Sequence, residues 1–334
     1  MTSAAPLMKA IVRDRYGPPD ILELREVPRP VAAADGVLVR VRAASVNALD
    51  WHLLRGEPGI VRMMSGFGKP KSPGMGVDLA GVVEAVGSST ARLRPGDEVY
   101  GNGEGSFAEY ATAKEGSLAL KPSNMSFEEA AAVPMAGCSA LQALRDKGGL
   151  AAGQKVLVNG ASGGVGTFAV QVARAFGADV TGVCSGRNAE MVRSLGASHV
   201  VDYTKEDFTR SGARYDIILD IADTHSTADY RRALTPTGTL VSLGAAGGPG
   251  QQAGTAAIMF GTVQTLVLSA LGRQNLRMFF ARPGYADLDV LREMIEAGNV
   301  RAVIERRYTL PEVPEAIRHV ETGHARGKVV VAVA

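Results

Sequence analysis

Along the first third of the chain, apolar and polar positions alternate in short runs. In residues 37–43 (VLVRVRA), Val39, Val41 and Ala43 fall on one side and Arg40 and Arg42 on the other, the period-two pattern of a half-buried strand. Residues 82–86 give a second strand, stopped at Gly87, and Arg94-Pro-Gly-Asp is a turn that feeds another. Irregular β structure rich in Gly and Pro continues to about residue 120, with no convincing long helix. At Ser126 the pattern changes. Ser126-Phe-Glu-Glu129 is a capping box ahead of an apolar run, and strands and helices then alternate strictly. Strands are expected at 155–159, 179–184, 199–202, 215–220 and 238–243, and helices at 165–176, 188–195 and 228–234. The strands are rich in Val, Ile and Leu, as strands buried on both faces are, so a parallel sheet with helices on both faces is expected.

Beyond about residue 276 the pattern is mixed. Helices are expected at 286–297 and 313–321, a β segment at 301–308 and a last strand at 328–333. That last strand needs partners, so the tail is expected to return to the first domain. The chain then divides into a mainly β domain from residues 1–125 and 277–334, and an α/β domain, a doubly wound parallel sheet, from residues 126–276. There is no internal repeat and no low-complexity segment.

Composition narrows the possibilities. The 36 basic and 34 acidic residues nearly cancel, which leaves no electrostatic footprint for nucleic acid. Small molecules or a second copy of the chain are the expected partners. Two cysteines, Cys138 and Cys184, exclude a secreted disulfide scaffold and point to a reducing compartment. The opening residues lack the basic-then-apolar layout of a signal peptide, so the cytoplasm is the expected location. The most apolar stretch, residues 256–272, is interrupted by Gly261, Thr262, Gln264 and Thr265; a buried helix or a lid is expected there rather than a membrane span. With Phe279 and Phe280 it is a candidate wall for an apolar substrate, or simply core or a subunit contact.

The chemistry-bearing motif is Lys155-Val-Leu-Val-Asn-Gly-Ala-Ser-Gly-Gly-Val-Gly166, a strand and glycine-rich turn running into a helix. That is the context of a dinucleotide-binding fingerprint. Gly163 and Gly164 let the backbone approach a pyrophosphate, Gly166 allows tight helix–strand packing, and the helix N-terminus offers free N–H groups to an anion. Ala161 stands where the fingerprint has its first glycine, a departure that keeps the spacing. About twenty residues on, where an acid would hold the ribose of NAD, stand Ser185 and the nearby Arg187. A guanidinium fork suits a 2′-phosphate, so NADPH is the expected cofactor; the plainer alternative makes Arg187 a solvated loop residue.

Together these residues resemble the zinc-independent, quinone-oxidoreductase-like medium-chain dehydrogenases/reductases, and within them the reticulon-interacting reductases. Five stretches carry the likeness nearly end to end: Asn47-Ala-Leu-Asp-Trp-His52, Gly76-Val-Asp-Leu-Ala-Gly-Val-Val83, Arg94-Pro-Gly-Asp-Glu-Val-Tyr-Gly101, the turn from Ala161 to Gly166, and Gly323-His-Ala-Arg-Gly-Lys-Val-Val330. The resemblance implies a GroES-like, mainly β catalytic domain beside a Rossmann domain, and a homodimer. It implies NADPH contacts at Ser162, Gly164 and Val165, at Ser185, and at Tyr203 against the 2′-phosphate. It further implies Leu243 and Gly244 beside the nicotinamide, and a cofactor role for Lys328.

Zinc-dependent relatives carry an early Cys and a Gly-His-Glu; here Asn47 and Gly76-Val77-Asp78 stand in those places. The five histidines show no ligand spacing, so no metal is expected. Asn47 is a candidate donor to an acceptor oxygen. Asp50 either orients partners or forms a structural salt bridge. His52 stands where the family often carries an active-site Tyr, and either relays a proton or is a packed histidine. Cys138, with no base visible nearby, reads as a buried thiol. The expected activity is NADPH-dependent reduction of an activated C=C bond or a quinone in a small apolar, carbonyl-conjugated substrate. The alternatives are a metal-free carbonyl or alcohol oxidoreductase, and an NADPH-binding protein with little turnover.

Overall fold

The computed structural model describes residues 6–243 and 273–333. They fall into two compact units. One takes residues 6–135, 283–298 and 302–333; the other takes residues 136–243, 273–282 and 299–301.

The first unit is mainly β. Strands β1 (Leu7–Val12) and β2 (Glu23–Pro28) form an antiparallel ribbon. Strand β3 (Gly36–Val46) is followed by two short helices, α1 (Ala48–Arg55) and α2 (Ile60–Ser65), in a region where the sequence shows no long helix. Then come β4 (Asp78–Val86), β5 (Glu98–Asn102), β6 (Tyr110–Lys114), β7 (Leu118–Leu120) and α3 (Phe127–Ala131). Ser126 caps α3, accepting from the Glu129 N–H while the Glu129 carboxylate accepts from the Ser126 N–H, as the capping-box pattern requires. The chain's tail supplies β14 (Ile304–Thr309) and β15 (Lys328–Ala332), with helices at Tyr285–Glu296 and Val313–Glu321. The tail does return to the first unit: β15 pairs antiparallel with β3 in a sheet ordered β14-β15-β3-β4-β5-β7, with β6 on the other part of β3. Val46, Leu54, Phe107, Ile317, Val329 and Val331 pack together as one core, and Val37, Val39, Val41, Leu79, Val83 and Val99 as another.

Helix α4 (Pro134–Gln142) leads into the second unit, which contains β8 (Lys155–Asn159), α5 (Gly164–Ala175), β9 (Asp179–Cys184), α6 (Ala189–Ser194), β10 (His199–Asp202), β11 (Tyr215–Asp220), α7 (Thr227–Ala233), β12 (Leu234–Leu243) and β13 (Asn275–Phe279). Among the described residues its six strands are parallel in the order β10-β9-β8-β11-β12-β13. The chain moves outward from β8 in one direction and from β11 in the other. Because crossovers are right-handed, that reversal puts helices on opposite faces. Two details differ from the sequence pattern. β12 begins at Leu234 rather than near residue 238, since Pro236 cannot continue a helix and Leu234 is already extended, with φ −83 and ψ 151. β13 was not expected, because five residues containing Asn275 and Arg277 do not stand out from a loop.

Candidate active site

The nucleotide-binding candidates gather at the carboxyl ends of the parallel strands, where open α/β sheets bind ligands. β8 ends at Asn159 and turns through Ser162 and Gly163 into α5; β9 ends just before Ser185; β10 ends just before Tyr203; β12 ends at Leu243. The turn is shaped by close approach. A Cβ on Gly166 would lie 2.1 Å from the Gly160 carbonyl oxygen, so no larger residue fits there. Ala161 takes the place of a glycine without strain, because its methyl group faces Gly182, where a side chain would reach 3.1 Å from it. Gly163 caps α5 without a side-chain hydrogen bond, leaving the first N–H groups of the helix without an intrahelical acceptor. Those donors and the small cradle fit a pyrophosphate.

The turn after β9 suits a phosphate but is not purely basic. The Arg187 guanidinium is exposed and pairs with no acid among the described residues. Tyr203, just past β10, is 58% exposed, and its N–H donates to the Cys184 carbonyl at 3.2 Å. Sequence reading missed two residues here. Asn188 is buried, and its Nδ2 donates to Ser162 Oγ at 3.1 Å and Ser185 Oγ at 3.3 Å, tying the two turns together. Asp202 lies under Gly186. Hydrogen bonds from the Thr204 side chain, chiefly, hold its carboxyl below the usual range, and Lys205 Nζ stands 3.7 Å away. Gly244 and the 256–272 run lie outside the described residues.

The three candidate catalytic residues belong to the first unit, and the structure adds partners to them. Ser45, Asp78 and Asn102 stand directly opposite one another across β3, β4 and β5. Val46 pairs with Val329, which leaves Asn47 and Lys328 next in line at the strand ends. The result is a buried polar cluster. Asp78 Oδ2 accepts from Ser45 Oγ at 3.0 Å and Asn47 Nδ2 at 2.9 Å, and Oδ1 accepts from Asn102 Nδ2 at 2.6 Å and the Met135 N–H at 3.2 Å. Lys328 Nζ donates to Asn47 Oδ1 at 2.6 Å and the Val46 carbonyl at 3.2 Å, and lies 3.8 Å from Asp78 Oδ2. Burial pushes the Asp78 carboxyl up and the Lys328 ammonium down. The partners nonetheless describe an ion pair: Asp78 meets only donors, and Lys328 meets only acceptors. Lys328, expected at the cofactor, thus lies in this cluster with Asn47.

Asp50 and His52 follow on α1. Asp50 Oδ2 accepts from the Asn47 N–H at 2.7 Å, which caps the helix, while Oδ1 is buried without a partner. Burial, opposed by that hydrogen bond, pushes the carboxyl up to about 7. His52 Nδ1 lies 2.7 Å from the Glu57 carbonyl oxygen, an arrangement that puts a proton on Nδ1 and leaves Nε2 as the acceptor. Burial lowers its pKa from the ordinary histidine value. Cys138 and Cys184 are both buried and form no disulfide. Among the described residues no group of three or more His, Cys, Asp or Glu is placed to hold a metal ion.

Comparison with known proteins decides the family. The alcohol dehydrogenase GroES-like domain matches residues 33–123, and the zinc-binding dehydrogenase family matches residues 195–331. The mitochondrial NAD(P)H oxidoreductase RTN4IP1 of Mus musculus is 35% identical over 99% of this chain and 90% of its own length. The chain belongs to the quinone-oxidoreductase-like branch of the medium-chain dehydrogenase/reductase superfamily. As a member of that superfamily it is an oxidoreductase, with a Rossmann unit and a GroES-like unit. The 2-methylene-furan-3-one reductase of Solanum lycopersicum is 32% identical over 97% of this chain and 79% of its own. The structure of the quinone oxidoreductase from Coxiella burnetii superposes with a TM-score of 0.85 at 29% identity, covering 98% of this chain and 100% of the other. Among the described residues of this dehydrogenase/reductase, no helix is long and apolar enough to cross a membrane.

Proposed function

We propose that the protein is a zinc-independent, NADPH-dependent reductase of activated C=C bonds or quinones. The observation that carries this reading is the Asn47 amide. One Nδ2 hydrogen goes to Asp78, and the other takes no partner among the described residues, in a residue that is 8% exposed. A buried N–H of this kind supports a role in holding the carbonyl oxygen of an acceptor, where negative charge builds up as the acceptor is reduced. The relatives' names agree with that substrate class: one reduces a furanone bearing an exocyclic methylene, and others are quinone oxidoreductases.

In this reading Ser162, Gly163, Gly164, Val165 and Gly166 bind the pyrophosphate, Ser185, Arg187 and Tyr203 the 2′-phosphate, and Leu243 and Gly244 flank the nicotinamide. The chemistry supplied by the bound cofactor is hydride donation to an electrophilic carbon. Asn47 holds the acceptor oxygen, Asp50 caps the helix that presents it, and His52 tunes or relays the proton that completes the reduction. Support for metal independence comes from the chain's own residues: apolar Val77 stands at the His of the zinc-dependent Gly-His-Glu, and the Asp78 oxygens next to it already accept from N–H and O–H donors. The test is a steady-state screen of NADPH consumption with quinones, enones and simple ketones. Turnover of quinones and enones is expected. Turnover of simple ketones alone would establish a carbonyl reductase instead, and cofactor binding without turnover of any acceptor would establish a binding protein.

A further inference from the structure

We infer that Lys328 and Asp78 are positioning residues that lock the Asn47 amide in one polarity, which makes the site selective for oxygens that accept a hydrogen bond. The inference rests on the proposed role of Asn47 and extends it to two residues at distant points of the chain. An Asn side chain has two nearly isosteric ends, a carbonyl acceptor and an NH2 donor, and nothing in its shape decides which end faces a ligand. Here charge decides. Lys328 Nζ lies 2.6 Å from Asn47 Oδ1, and Asp78 Oδ2 lies 2.9 Å from Asn47 Nδ2. Turning the amide over would put its oxygen against the carboxylate and its NH2 against the ammonium, exchanging two charge-assisted hydrogen bonds for two like-facing contacts. Both charged residues are buried, at 0% exposure for Asp78 and 3% for Lys328, so water does not soften that preference.

Neither partner is itself free to swing. Asp78 is held by Ser45, Asn102 and the Met135 N–H, and Lys328 by the Val46 carbonyl. The remaining Asn47 hydrogen therefore has a fixed direction and a fixed sign. A ketone, enone or quinone oxygen meets a donor. An alcohol hydroxyl, which must give up its proton to be oxidised, finds in this amide a second donor and no base.

The test uses three variants of the full chain: Asn47→Ala, the neutral pair Asp78→Asn with Lys328→Met, and the triple combination. The neutral pair removes both charges together, because deleting one alone would bury the other unpaired and endanger the fold. With methyl vinyl ketone and 1,4-benzoquinone as acceptors, Asn47→Ala should lower kcat by roughly 100-fold to 1000-fold, as loss of an oxyanion donor does. The neutral pair should lose a comparable factor, and the triple variant should match Asn47→Ala within about twofold, since the pair acts only through Asn47. NADPH affinity should stay unchanged in the neutral pair. Multiplied losses in the triple variant, or weakened NADPH binding in the neutral pair, would overturn the inference. A second readout does not depend on turnover. The Asn47 side-chain amide resonance, assigned by its loss in Asn47→Ala, should exchange its hydrogens with solvent slowly in the parent protein and faster in the neutral pair. If the parent reduces no acceptor, the proposed function fails; equal exchange in the two proteins overturns the positioning role whatever the activity.

Discussion

Asn188 Nδ2 donates to Ser162 Oγ at 3.1 Å, so a buried amide fixes the distance between the turn after β8 and the turn after β9. The two turns carry different parts of the proposed nucleotide site, the pyrophosphate cradle and the 2′-phosphate pocket. Arg187 projects from the second turn with no acid paired to it among the described residues. We predict that NADPH binds more tightly than NADH. Arg187→Ala should cost NADPH roughly tenfold to a hundredfold in affinity, the range for a hydrogen bond to a charged group, and leave NADH almost unaffected. Asn188→Ala should weaken both cofactors, because it loosens the frame rather than one contact. Titration of each protein with each cofactor decides this; equal affinities in the parent would remove the 2′-phosphate assignment.

Asp50 gives a stability prediction with a definite sign. Burial raises its folded-state pKa to about 7, well above the ordinary Asp value near 3.9. Between those two values the folded protein binds a proton that the unfolded chain does not, so this group's contribution favours folding less as pH rises from about 4 to about 7. Asp50→Asn keeps an oxygen for the Asn47 N–H and removes the titration. Its melting temperature relative to the parent should therefore rise between pH 5 and pH 8, by roughly 2–4 °C for each kcal/mol of relieved burial. A constant difference across that range would show that Asp50 is ionised in the fold throughout.

The second unit was largely legible in the sequence because its signals are local. A buried parallel strand announces itself by consecutive apolar residues, and residues 155–159, 179–184, 199–202 and 215–220 are strands as the pattern implies. The polar cluster of the first unit was not legible in the same way. Asp78 and Lys328 each look like a lone charge at the end of an apolar strand, and only the pairing of β15 with β3, and of β3 with β4, brings them together at Asn47. The one available signal was an unpaired-looking acid in Gly76-Val-Asp-Leu-Ala and an unpaired-looking base in Gly327-Lys-Val-Val, charges that a buried strand tolerates only in partnership. Asn188 was missed for another reason: an amide that joins two turns has no periodicity to betray it.

Chelation provides a direct check on metal independence. Asn47 offers an amide where zinc-dependent relatives have a thiolate, and its oxygen is committed to Lys328. We predict unchanged turnover after exhaustive treatment with a strong chelator and no stoichiometric zinc by elemental analysis. Loss of activity on chelation, restored by added zinc, would show a ligand set beyond the described residues.

Strand β13 ends the order of the parallel sheet, and its outer edge carries no further strand among the described residues. An exposed edge of backbone N–H and C=O groups is a template for pairing with another copy. We predict a homodimer joined along this edge. Met278→Pro would set a ring into the edge strand, so it should shift sedimentation toward the monomer. A parent protein that already sediments as a monomer at micromolar concentration would contradict the prediction.

His52 is where the chemistry is most exposed to test. Its Nδ1 is engaged by the Glu57 carbonyl at 2.7 Å, and burial lowers its pKa, so near pH 7 the ring is mostly neutral and Nε2 accepts rather than donates. A proton relay through His52 then requires the less populated imidazolium. Enone reduction should accelerate as pH falls toward a value below the ordinary histidine range, and the acceleration should vanish in His52→Phe. General acid catalysis is worth roughly 100-fold to 10,000-fold, so that substitution should cost the enone reaction at least about 100-fold wherever protonation limits the rate. A quinone should lose less, because its reduced form is a stabilised phenolate that needs no immediate proton. NADPH affinity should remain at the parent level, which separates a chemical effect from a disturbed fold. If both acceptors turn over at parental rates in His52→Phe with the pH profile intact, His52 serves only to hold the chain between α1 and α2.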